Sequence, residues 1–228
     1  AAPVLTTTDV AKKPDGSPVT RADLDADGII RSRLAAFLPG VPVVSEENVE
    51  AWPSTLPAQF ILVDPLDGTR EFVAGRPEYT VNIALIEAGQ PIVGAIYAPA
   101  LRRLYVAGAK AFRTELRPDE PLQGVETMRL LTTSTVPERG LRAVASRSHL
   151  DPATKQWLDQ HHVTELCSIG SSLKFCMIAE GEADVYPRLA PTNEWDTAAG
   201  HAILSAAGGY VLGVDGSSIR YGKSDAKF

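Results

Sequence analysis

The segment that decides the fold is Phe60-Ile61-Leu62-Val63-Asp64-Pro65-Leu66-Asp67-Gly68-Thr69. Its apolar run predicts a buried strand, which carries Asp64 and Asp67 into a turn that ends in Gly-Thr. Two carboxylates with a backbone carbonyl between them are hard oxygen ligands that suit Mg²⁺ or Mn²⁺. The turn can also present backbone N–H groups and a hydroxyl to an anion. A plain strand end with turn-forming Asp and Gly explains the same residues, so this segment alone leaves both interpretations open.

Two further acidic segments favour the metal interpretation. Glu46 and Glu47 follow the short apolar run 43–44, and Asp196 stands near the start of a helix rich in small residues. Taken singly, the two glutamates could be solvated and Asp196 could cap its helix. Three acidic segments, each at the edge of a structured element, are better explained together by one divalent-cation site.

These three segments resemble the signature of the inositol monophosphatase superfamily of metal-dependent, lithium-sensitive phosphatases. Segments 13–20, 146–149 and 170–174 resemble its 3'(2'),5'-bisphosphate nucleotidase branch more specifically. The similarity runs from about Lys13 to the C-terminus. It implies an α/β (α+β layered) fold, the five-layer α/β/α/β/α sandwich of the inositol monophosphatase and fructose bisphosphatase type.

The resemblance also implies which groups bind metal and activate water. The implied ligands of two or three Mg²⁺ ions, with Mn²⁺ as a substitute, are Glu46, Asp64, the Leu66 carbonyl, Asp67 and Asp196. Glu46 is preferred to Glu47 because the family uses the first glutamate of the pair. Asp23 and Thr69 resemble the pair that orients and deprotonates the attacking water, and with Glu46 they are the predicted catalytic residues. Asp23 could instead lie early in a helix, where the helix dipole stabilises a carboxylate, and Thr69 could be only a turn residue.

The resemblance, together with the pairing of arginine, lysine and helix N-termini with phosphate, implies a set of candidate substrate-binding residues. The predicted set is Gly68, Thr69, Ser146, His149, Ser171, Lys174, Arg188 and Asp196. Four of these, Ser146, His149, Ser171 and Lys174, correspond by resemblance to nucleotide-binding positions. Arg188 could add charge or stack on a base, but it and Arg147 could equally be surface residues, and Lys174 could be a solvated helix residue.

The predicted reaction is hydrolysis of the 3'-phosphate of adenosine 3',5'-bisphosphate to AMP. An inositol or sugar monophosphatase is the alternative within phosphatases, and a non-enzymatic divalent-metal-binding module is the alternative outside them. The net charge of -6, without a Lys/Arg cluster, argues against a nucleic-acid polymer as partner. A small bisphosphate nucleotide remains compatible, because a bound dication reverses the local sign of charge.

Composition indicates a soluble globular protein of 228 residues, 44% of them hydrophobic, without an apolar run long enough for a transmembrane segment. We expect a cytoplasmic monomer or homodimer, with peripheral association with the inner membrane left open. No signal peptide is visible at Ala1, and the helix that usually precedes this point in the family suggests that residues precede it. Cys167 and Cys176 are predicted to be free, largely buried thiols.

Periodicity and turn signals predict two α/β domains, 1–127 with most metal ligands and 128–228 with substrate recognition and Asp196. The predicted helices are 22–38, 152–160, 172–180 and 197–207. The predicted strands are 41–44, 60–63, 79–87, 91–97, 103–107, 111–113, 142–146, 164–167, 183–187 and 210–212, and Pro42 places the first of them at a sheet edge.

Overall fold

The computed structural model describes residues 10–13, 16–51, 56–118, 120–135, 138, 140–147, 150–223 and 227–228. The helices are α1 (Arg21–Phe37), α2 (Thr69–Val73), α3 (Pro152–Gln160), α4 (Leu173–Ala179) and α5 (Glu194–Ala206). The strands are β1 (Val10–Lys12), β2 (Pro18–Thr20), β3 (Val43–Ser45), β4 (Gln59–Asp67), β5 (Thr80–Glu87), β6 (Gln90–Ala98), β7 (Arg103–Ala107), β8 (Ala111–Glu115), β9 (Arg129–Leu130), β10 (Leu141–Ser146) and β11 (Val163–Ile169). Short 3₁₀ turns cover Glu46–Ala51, Pro99–Leu101 and Val125–Thr127.

The apolar run 60–63 forms the centre of β4, in a seven-stranded sheet of order β3-β4-β5-β6-β7-β8-β9. Only the β3–β4 pair is parallel, and β3 lies at the predicted edge. Phe60 and Leu62 join the main core with residues of α5, whereas Ile61 and Val63 alternate to the other face, on which α1 contacts β4. Both faces of β4 are therefore buried, which explains why its sequence is continuously apolar.

The second half of the chain adds a parallel β10–β11 pair, covered by α3 through Leu158 on Ala143 and Ala145. Helix α5 contacts the large sheet from β4 to β8, and α4 contacts both α5 and β10. The described elements therefore stack as α1, the seven-stranded sheet, α4 with α5, the β10–β11 pair and α3. This is the layered α/β order that the sequence predicts.

Two predicted strands and one predicted burial are wrong. Segments 183–187 and 210–212 contribute only isolated bridges, from Val185 to Ala143 and from Leu212 to Ser218. Both thiols are free as predicted, and Cys176 is buried, but Cys167 is exposed. Cys167 lies on β11, which among the described strands pairs only with β10. The side chains of residues 164–168 on this edge strand are exposed.

The proposed division at residue 127 stays a prediction. Beyond β8 the chain returns as β9, which pairs with β8, and the main core contains side chains from both sides of residue 127. Among the described residues, no helix combines the length and the apolar character that crossing a membrane requires.

Close approach of α5 to the large sheet positions the N-terminus of that helix. A Cβ built on Gly94 of β6 would lie 2.6 Å from the Ala199 carbonyl oxygen and 2.8 Å from Ala202 Cβ. We therefore expect Gly94→Ala to push α5 away from the sheet and to lower the free energy of unfolding by about 1–3 kcal/mol, the usual range for overpacking. Urea unfolding followed by circular dichroism measures this change.

Gly108 provides the matched control, because a Cβ there meets nothing within 4 Å. Gly108→Ala should change the free energy of unfolding by no more than about 0.5 kcal/mol. Equal stability of the Gly94→Ala and Gly108→Ala proteins would contradict the close packing of α5 on β6.

Candidate metal and phosphate site

One cavity of about 370 Å³ collects the predicted site residues from both halves of the chain. The predicted residues that line it are Glu46, Asp64, Leu66, Asp67, Gly68, Thr69, Ser146, Ser171, Lys174, Arg188 and Asp196. Asp23 is almost fully buried and contacts Thr69 of this lining. His149 lies outside the described residues. The carboxylates Glu46, Asp64, Asp67 and Asp196 form what we call the acidic wall of the cavity. Lys174 and Arg188 form what we call the basic wall.

The acidic wall contains a cluster of three carboxylates. Glu46, Asp64 and Asp196 each offer one oxygen, and these oxygens all lie within 4.8 Å of one another. Asp67 lies beside the cluster, close enough to interact electrostatically with Asp64 and Asp196. The elements that carry them are the 3₁₀ turn after β3, the end of β4 and the start of α5. Clustered carboxylate oxygens are the donor set of a divalent cation such as Mg²⁺ or Mn²⁺, so these residues fit that group.

Burial and mutual repulsion make these carboxylates hard to ionise together. Burial, offset in part by Lys13, raises the pKa of Glu46 to about 7. Burial and the neighbouring Asp196 raise the pKa of Asp67 to about 6. The pKa of Asp64 also lies well above its usual value, through burial and then the charges of Glu46, Asp67 and Asp196. A bound dication would remove this repulsion, and protons should compete with it below about pH 7.

Each aspartate of the wall is oriented by hydrogen bonds to one of its oxygens. Asp64 Oδ1 accepts from the Leu66 N–H at 3.0 Å, and Asp67 Oδ2 accepts from the Asn82 amide at 3.3 Å. Asp196 Oδ2 accepts from the Thr192 hydroxyl at 2.8 Å and from the Asn193 N–H at 3.1 Å. Asp196 is therefore both part of the capping box of α5 and a member of the cluster, so the two interpretations of this residue are compatible.

Lys13 approaches the acidic wall from the β1–β2 hairpin. Its Nζ lies 2.6 Å from Glu46 Oε1 and 2.7 Å from Glu47 Oε1. Burial alone would lower the pKa of Lys13, but the two glutamates outweigh it and raise that pKa. Only Glu46 of this pair belongs to the three-carboxylate cluster within the described residues. Its role as a metal ligand stays a prediction.

Thr69 and Asp23 are brought together from α2 and α1. The Thr69 hydroxyl lies 3.1 Å from Asp23 Oδ1 and 3.2 Å from the Leu66 carbonyl oxygen. The other oxygen of Asp23 accepts the N–H and the hydroxyl of Thr20, which completes the capping box of α1. Asp23 can thus cap its helix and contact Thr69 with different oxygens. The turn needs Gly68, because its φ is +93° and a Cβ would lie 3.0 Å from the Glu78 carbonyl oxygen.

The basic wall is formed by Lys174 and Arg188. Lys174 is only 4% exposed, and its ammonium donates to the Ser171 carbonyl at 2.5 Å and lies 5.2 Å from the centre of the Tyr186 ring. Burial lowers the pKa of Lys174 to about 8, so the side chain is mostly charged at pH 7. Arg188 Nη2 donates to the Pro191 carbonyl at 3.1 Å. Lys174 and Arg188 are two positively charged side chains in a cavity that also contains the acidic cluster. They can bind an anionic group away from any metal ion that the carboxylates hold.

Arg147, His201 and His161 have surface or packing roles and do not line the cavity. Arg147 pairs with Glu78 at 2.9 Å and with the Ser168 carbonyl at 3.0 Å, which agrees with its interpretation as a surface residue. His201 is buried 3.0 Å from the Tyr221 hydroxyl, and burial lowers its pKa to about 4. His161 is exposed at the end of α3 and stacks on Trp157, as expected of a helix end.

The sequence motifs do not predict the polar side chains of Asn82 and Ser172 that support Asp67. Asn82 donates to Asp67, and the Ser172 hydroxyl in turn donates to Asn82 Oδ1 at 2.7 Å. Asn82 and Thr80 stand on the buried face of β5 with Ala84 and Ile86. Polar residues at buried positions of an alternating strand were the available signal, since buried polar groups require partners.

The layered fold and the carboxylate cluster together define an α/β protein with an acidic cluster suited to a divalent cation. The chain belongs to the inositol monophosphatase family, whose model matches residues 4–226. It is 45% identical to the Escherichia coli K12 3'(2'),5'-bisphosphate nucleotidase CysQ, over 93% of this chain and 83% of that protein. These findings confirm the resemblance predicted from the motifs.

Solved structures agree with the sequence relatives. CysQ of Bacteroides thetaiotaomicron, described as a bacterial member of the inositol monophosphatase family, is 39% identical and superimposes with a TM-score of 0.79 over 94% of this chain and 83% of that one. An inositol monophosphatase of Thermotoga maritima is 25% identical, with a TM-score of 0.73 over 92% of this chain and 78% of that one. The predicted fold class is confirmed.

Proposed function

We propose that this chain is a divalent-cation-dependent 3'(2'),5'-bisphosphate nucleotidase, which hydrolyses the 3'-phosphate of adenosine 3',5'-bisphosphate to AMP and phosphate. The observation that carries the proposal is the single cavity with an acidic cluster and a separate pair of basic side chains. A substrate with two phosphates uses both walls, whereas a monophosphate uses only one. The 45% identity to a protein called a 3'(2'),5'-bisphosphate nucleotidase supports the same substrate class.

The cation-binding groups are Glu46, Asp64, Asp67, Asp196 and the Leu66 carbonyl, all of which line the cavity. When bound there, two or three Mg²⁺ ions, or Mn²⁺ in their place, neutralise charge on the phosphate oxygens and make water easier to deprotonate. The hydrogen bonds from Leu66, Asn82 and Thr192 hold the carboxylates in place before any cation arrives. Hydrogen bonds to metal-binding side chains orient those side chains and change their affinity for the cation.

Thr69 and Asp23 handle the proton of the attacking water. The Thr69 hydroxyl lies at the cavity wall and can donate to Asp23 Oδ1, which leaves its oxygen lone pairs free to accept a proton from water. Asp23 is held by Thr20, so the acceptor oxygen for Thr69 has a fixed position. The Gly68 turn and Thr69 offer backbone N–H groups to the phosphate from the same side.

The second phosphate and the base are assigned to the basic wall. Lys174 supplies a buried positive charge, and Ser171 and Ser146 supply hydroxyls beside it. Arg188 and Tyr186, 3.4 Å apart, add a second cation and an aromatic ring for the purine. Asp196 belongs to the acidic wall and lines the same cavity, so we assign it contacts with both a cation and the substrate.

A comparison of two substrates tests the proposal directly. With Mg²⁺ present, kcat/KM for adenosine 3',5'-bisphosphate should exceed that for inositol 1-phosphate. Equal or faster turnover of inositol 1-phosphate would reject the nucleotidase assignment and favour an inositol monophosphatase. Absence of activity on both, with cation binding intact, would favour a non-enzymatic metal-binding module.

Lithium should inhibit hydrolysis of the nucleotide. A monovalent ion that replaces a dication at the acidic cluster supplies less charge stabilisation to the leaving oxygen. Initial rates at subsaturating Mg²⁺ should therefore fall as LiCl is added, with KCl at equal ionic strength as the control. Equal rates in the two salts would count against this arrangement of cations.

Lys174→Ala should separate recognition from chemistry. Loss of a charged hydrogen bond should weaken binding of the bisphosphate nucleotide by roughly 1.5–3 kcal/mol, seen as a rise in KM. Hydrolysis of a monophosphate that lacks the second charged group should be nearly unchanged. Lys155→Ala, on the exposed surface of α3, controls for the loss of a positive charge. Equal loss with both substrates would place Lys174 in the catalytic centre.

A further inference from the structure

Four polar side chains connect the acidic wall to the segment that begins α4. Thr80 Oγ1 lies 2.9 Å from Ser172 Oγ, which lies 2.7 Å from Asn82 Oδ1, and Asn82 Nδ2 lies 3.3 Å from Asp67 Oδ2. Thr80, Asn82 and Ser172 are at most 2% exposed. Bulk water therefore cannot replace these hydrogen bonds. We call the chain Thr80–Ser172–Asn82–Asp67 the Asn82 relay.

The direction of every hydrogen bond in the Asn82 relay is fixed. Asn82 Oδ1 can only accept, so the Ser172 hydroxyl must donate its single hydrogen to it. The Thr80 hydroxyl must then donate to Ser172 Oγ. With Oδ1 held by Ser172, the amide nitrogen of Asn82 faces Asp67 and can only donate. The Asn82 relay thus presents one donor to Asp67 Oδ2 in one orientation.

The backbone of Ser172 also acts on Asp67 directly, because its N–H lowers the pKa of that carboxyl. Its neighbour Ser171 adopts a φ of +55°, a left-handed conformation that is unfavourable outside glycine, and the Ser171 carbonyl accepts from Lys174. The residues of the basic wall are therefore joined to the acidic wall by hydrogen bonds between segments 90 residues apart. A change at Ser172 should reach Asp67 through both its backbone and its side chain.

We propose that Asn82 is a positioning residue, which holds Asp67 Oδ2 so that this carboxylate is preorganised for a divalent cation. The inference rests on the cation site of the proposed function. Loss of the Asn82 amide frees Asp67 to rotate and leaves the buried Ser172 hydroxyl without its acceptor. Loss of an outer contact to a metal ligand typically lowers cation affinity about 10–100-fold, and we expect a loss in this range.

A purely structural role for Asn82 makes a different prediction. Asn82 would then only satisfy buried polar groups of β5 and α4, so its replacement would lower the free energy of unfolding of the metal-free protein without changing cation affinity. Measurement of both quantities on the same variants separates the two roles.

The experiment is calorimetric titration of Mn²⁺ into the purified protein without nucleotide, paired with urea unfolding of the metal-free protein. Asn82→Ala should raise the Mn²⁺ dissociation constant about 10–100-fold. Ser172→Ala, which removes only the hydroxyl behind Asn82, should raise it by a smaller factor. The double variant should bind Mn²⁺ no more weakly than Asn82→Ala alone, because the two residues act through one path.

Ser134→Ala is the matched control. Its hydroxyl also supports a carboxylate, Asp184, at 2.6 Å, but in the network of Arg142 rather than in the cavity. It should leave Mn²⁺ affinity unchanged. Wild-type Mn²⁺ affinity in Asn82→Ala would overturn the inference. If that variant does not fold, unchanged affinity in Ser172→Ala would overturn it instead.

Failure of the proposed nucleotidase activity gives a different result. A wild-type protein that binds Mn²⁺ but hydrolyses neither phosphate ester would reject the proposed function. Weakened Mn²⁺ binding in Asn82→Ala would support the positioning role in that case too, because the calorimetric measurement needs no turnover.

Discussion

Replacement of Asp67 by asparagine should abolish hydrolysis while the fold is retained. The amide has nearly the shape of the carboxylate, and its single oxygen can still accept from the Asn82 amide. It lacks the negative charge that would balance a dication bound beside Glu46, Asp64 and Asp196. A loss of about 4 kcal/mol in transition-state stabilisation corresponds to roughly 1,000-fold in rate, so we expect at least this decrease in kcat/KM.

Stability of the metal-free protein gives a second readout for Asp67→Asn. Burial and Asp196 raise the pKa of Asp67 to about 6, which means that its charge is unfavourable in the fold without a cation. The metal-free variant should therefore unfold at the same temperature as the wild type or higher, while the rise in Tm on addition of Mn²⁺ should shrink. Asp25→Asn, on the exposed side of α1, controls for the change in net charge. More than a tenth of wild-type activity at saturating Mg²⁺ would contradict the role of Asp67.

The elements that carry the acidic wall could be predicted because their signals are local. The run 60–63 is continuously apolar because β4 is buried on both faces, and the turn that follows needs Gly68 at a positive φ. The Gly-Gly stop correctly predicts where α5 ends, whereas the helix begins at Glu194 after the N-cap Asn193, three residues before the predicted start. Carboxylates at the ends of such elements can therefore be recognised as candidates before the tertiary structure is known.

The contacts between segments could not be predicted, because they depend on register and on layer packing. Asn82 stands opposite Asp64 in the β4–β5 pair, and this pairing brings its amide to Asp67. The sequence shows only that Asn82 and Thr80 are polar residues among the apolar residues of this strand, and it does not show what they contact. Lys13 likewise meets Glu46 across 33 residues, and no local pattern links the two.

The wrong predictions have the same origin. Residues 183–187 have strand-like composition, but Asp184 directs its carboxylate to Arg142 at 2.7 Å, and only Val185 continues into a bridge. Cys167 was expected to be buried because cysteine usually is, yet it lies on a strand whose neighbouring residues are also exposed. Whether a short strand is buried depends on the helices and strands that pack against it. The sequence of the strand does not specify those elements.

Thr69→Val should lower kcat without weakening cation binding, which would separate proton handling from charge neutralisation. Valine keeps the branched shape of threonine but removes the hydroxyl that lies 3.1 Å from Asp23 Oδ1. Loss of a positioned proton-transfer group typically lowers rates by about 10²–10⁴-fold, and we expect kcat to fall in this range with little change in the nucleotide KM. Mn²⁺ affinity by calorimetry should stay at the wild-type value, in contrast to Asp67→Asn.

Thr69→Ser is the conservative control, because it keeps the hydroxyl and should retain kcat within about tenfold of the wild type. Asp23→Asn should behave like Thr69→Val, and the double variant should be no slower than either single variant if the two residues act as one unit. A turn-forming role alone predicts another pattern. In that case Thr69→Val would lower the free energy of unfolding and leave kcat unchanged, and the assignment of Thr69 and Asp23 to the attacking water would be wrong.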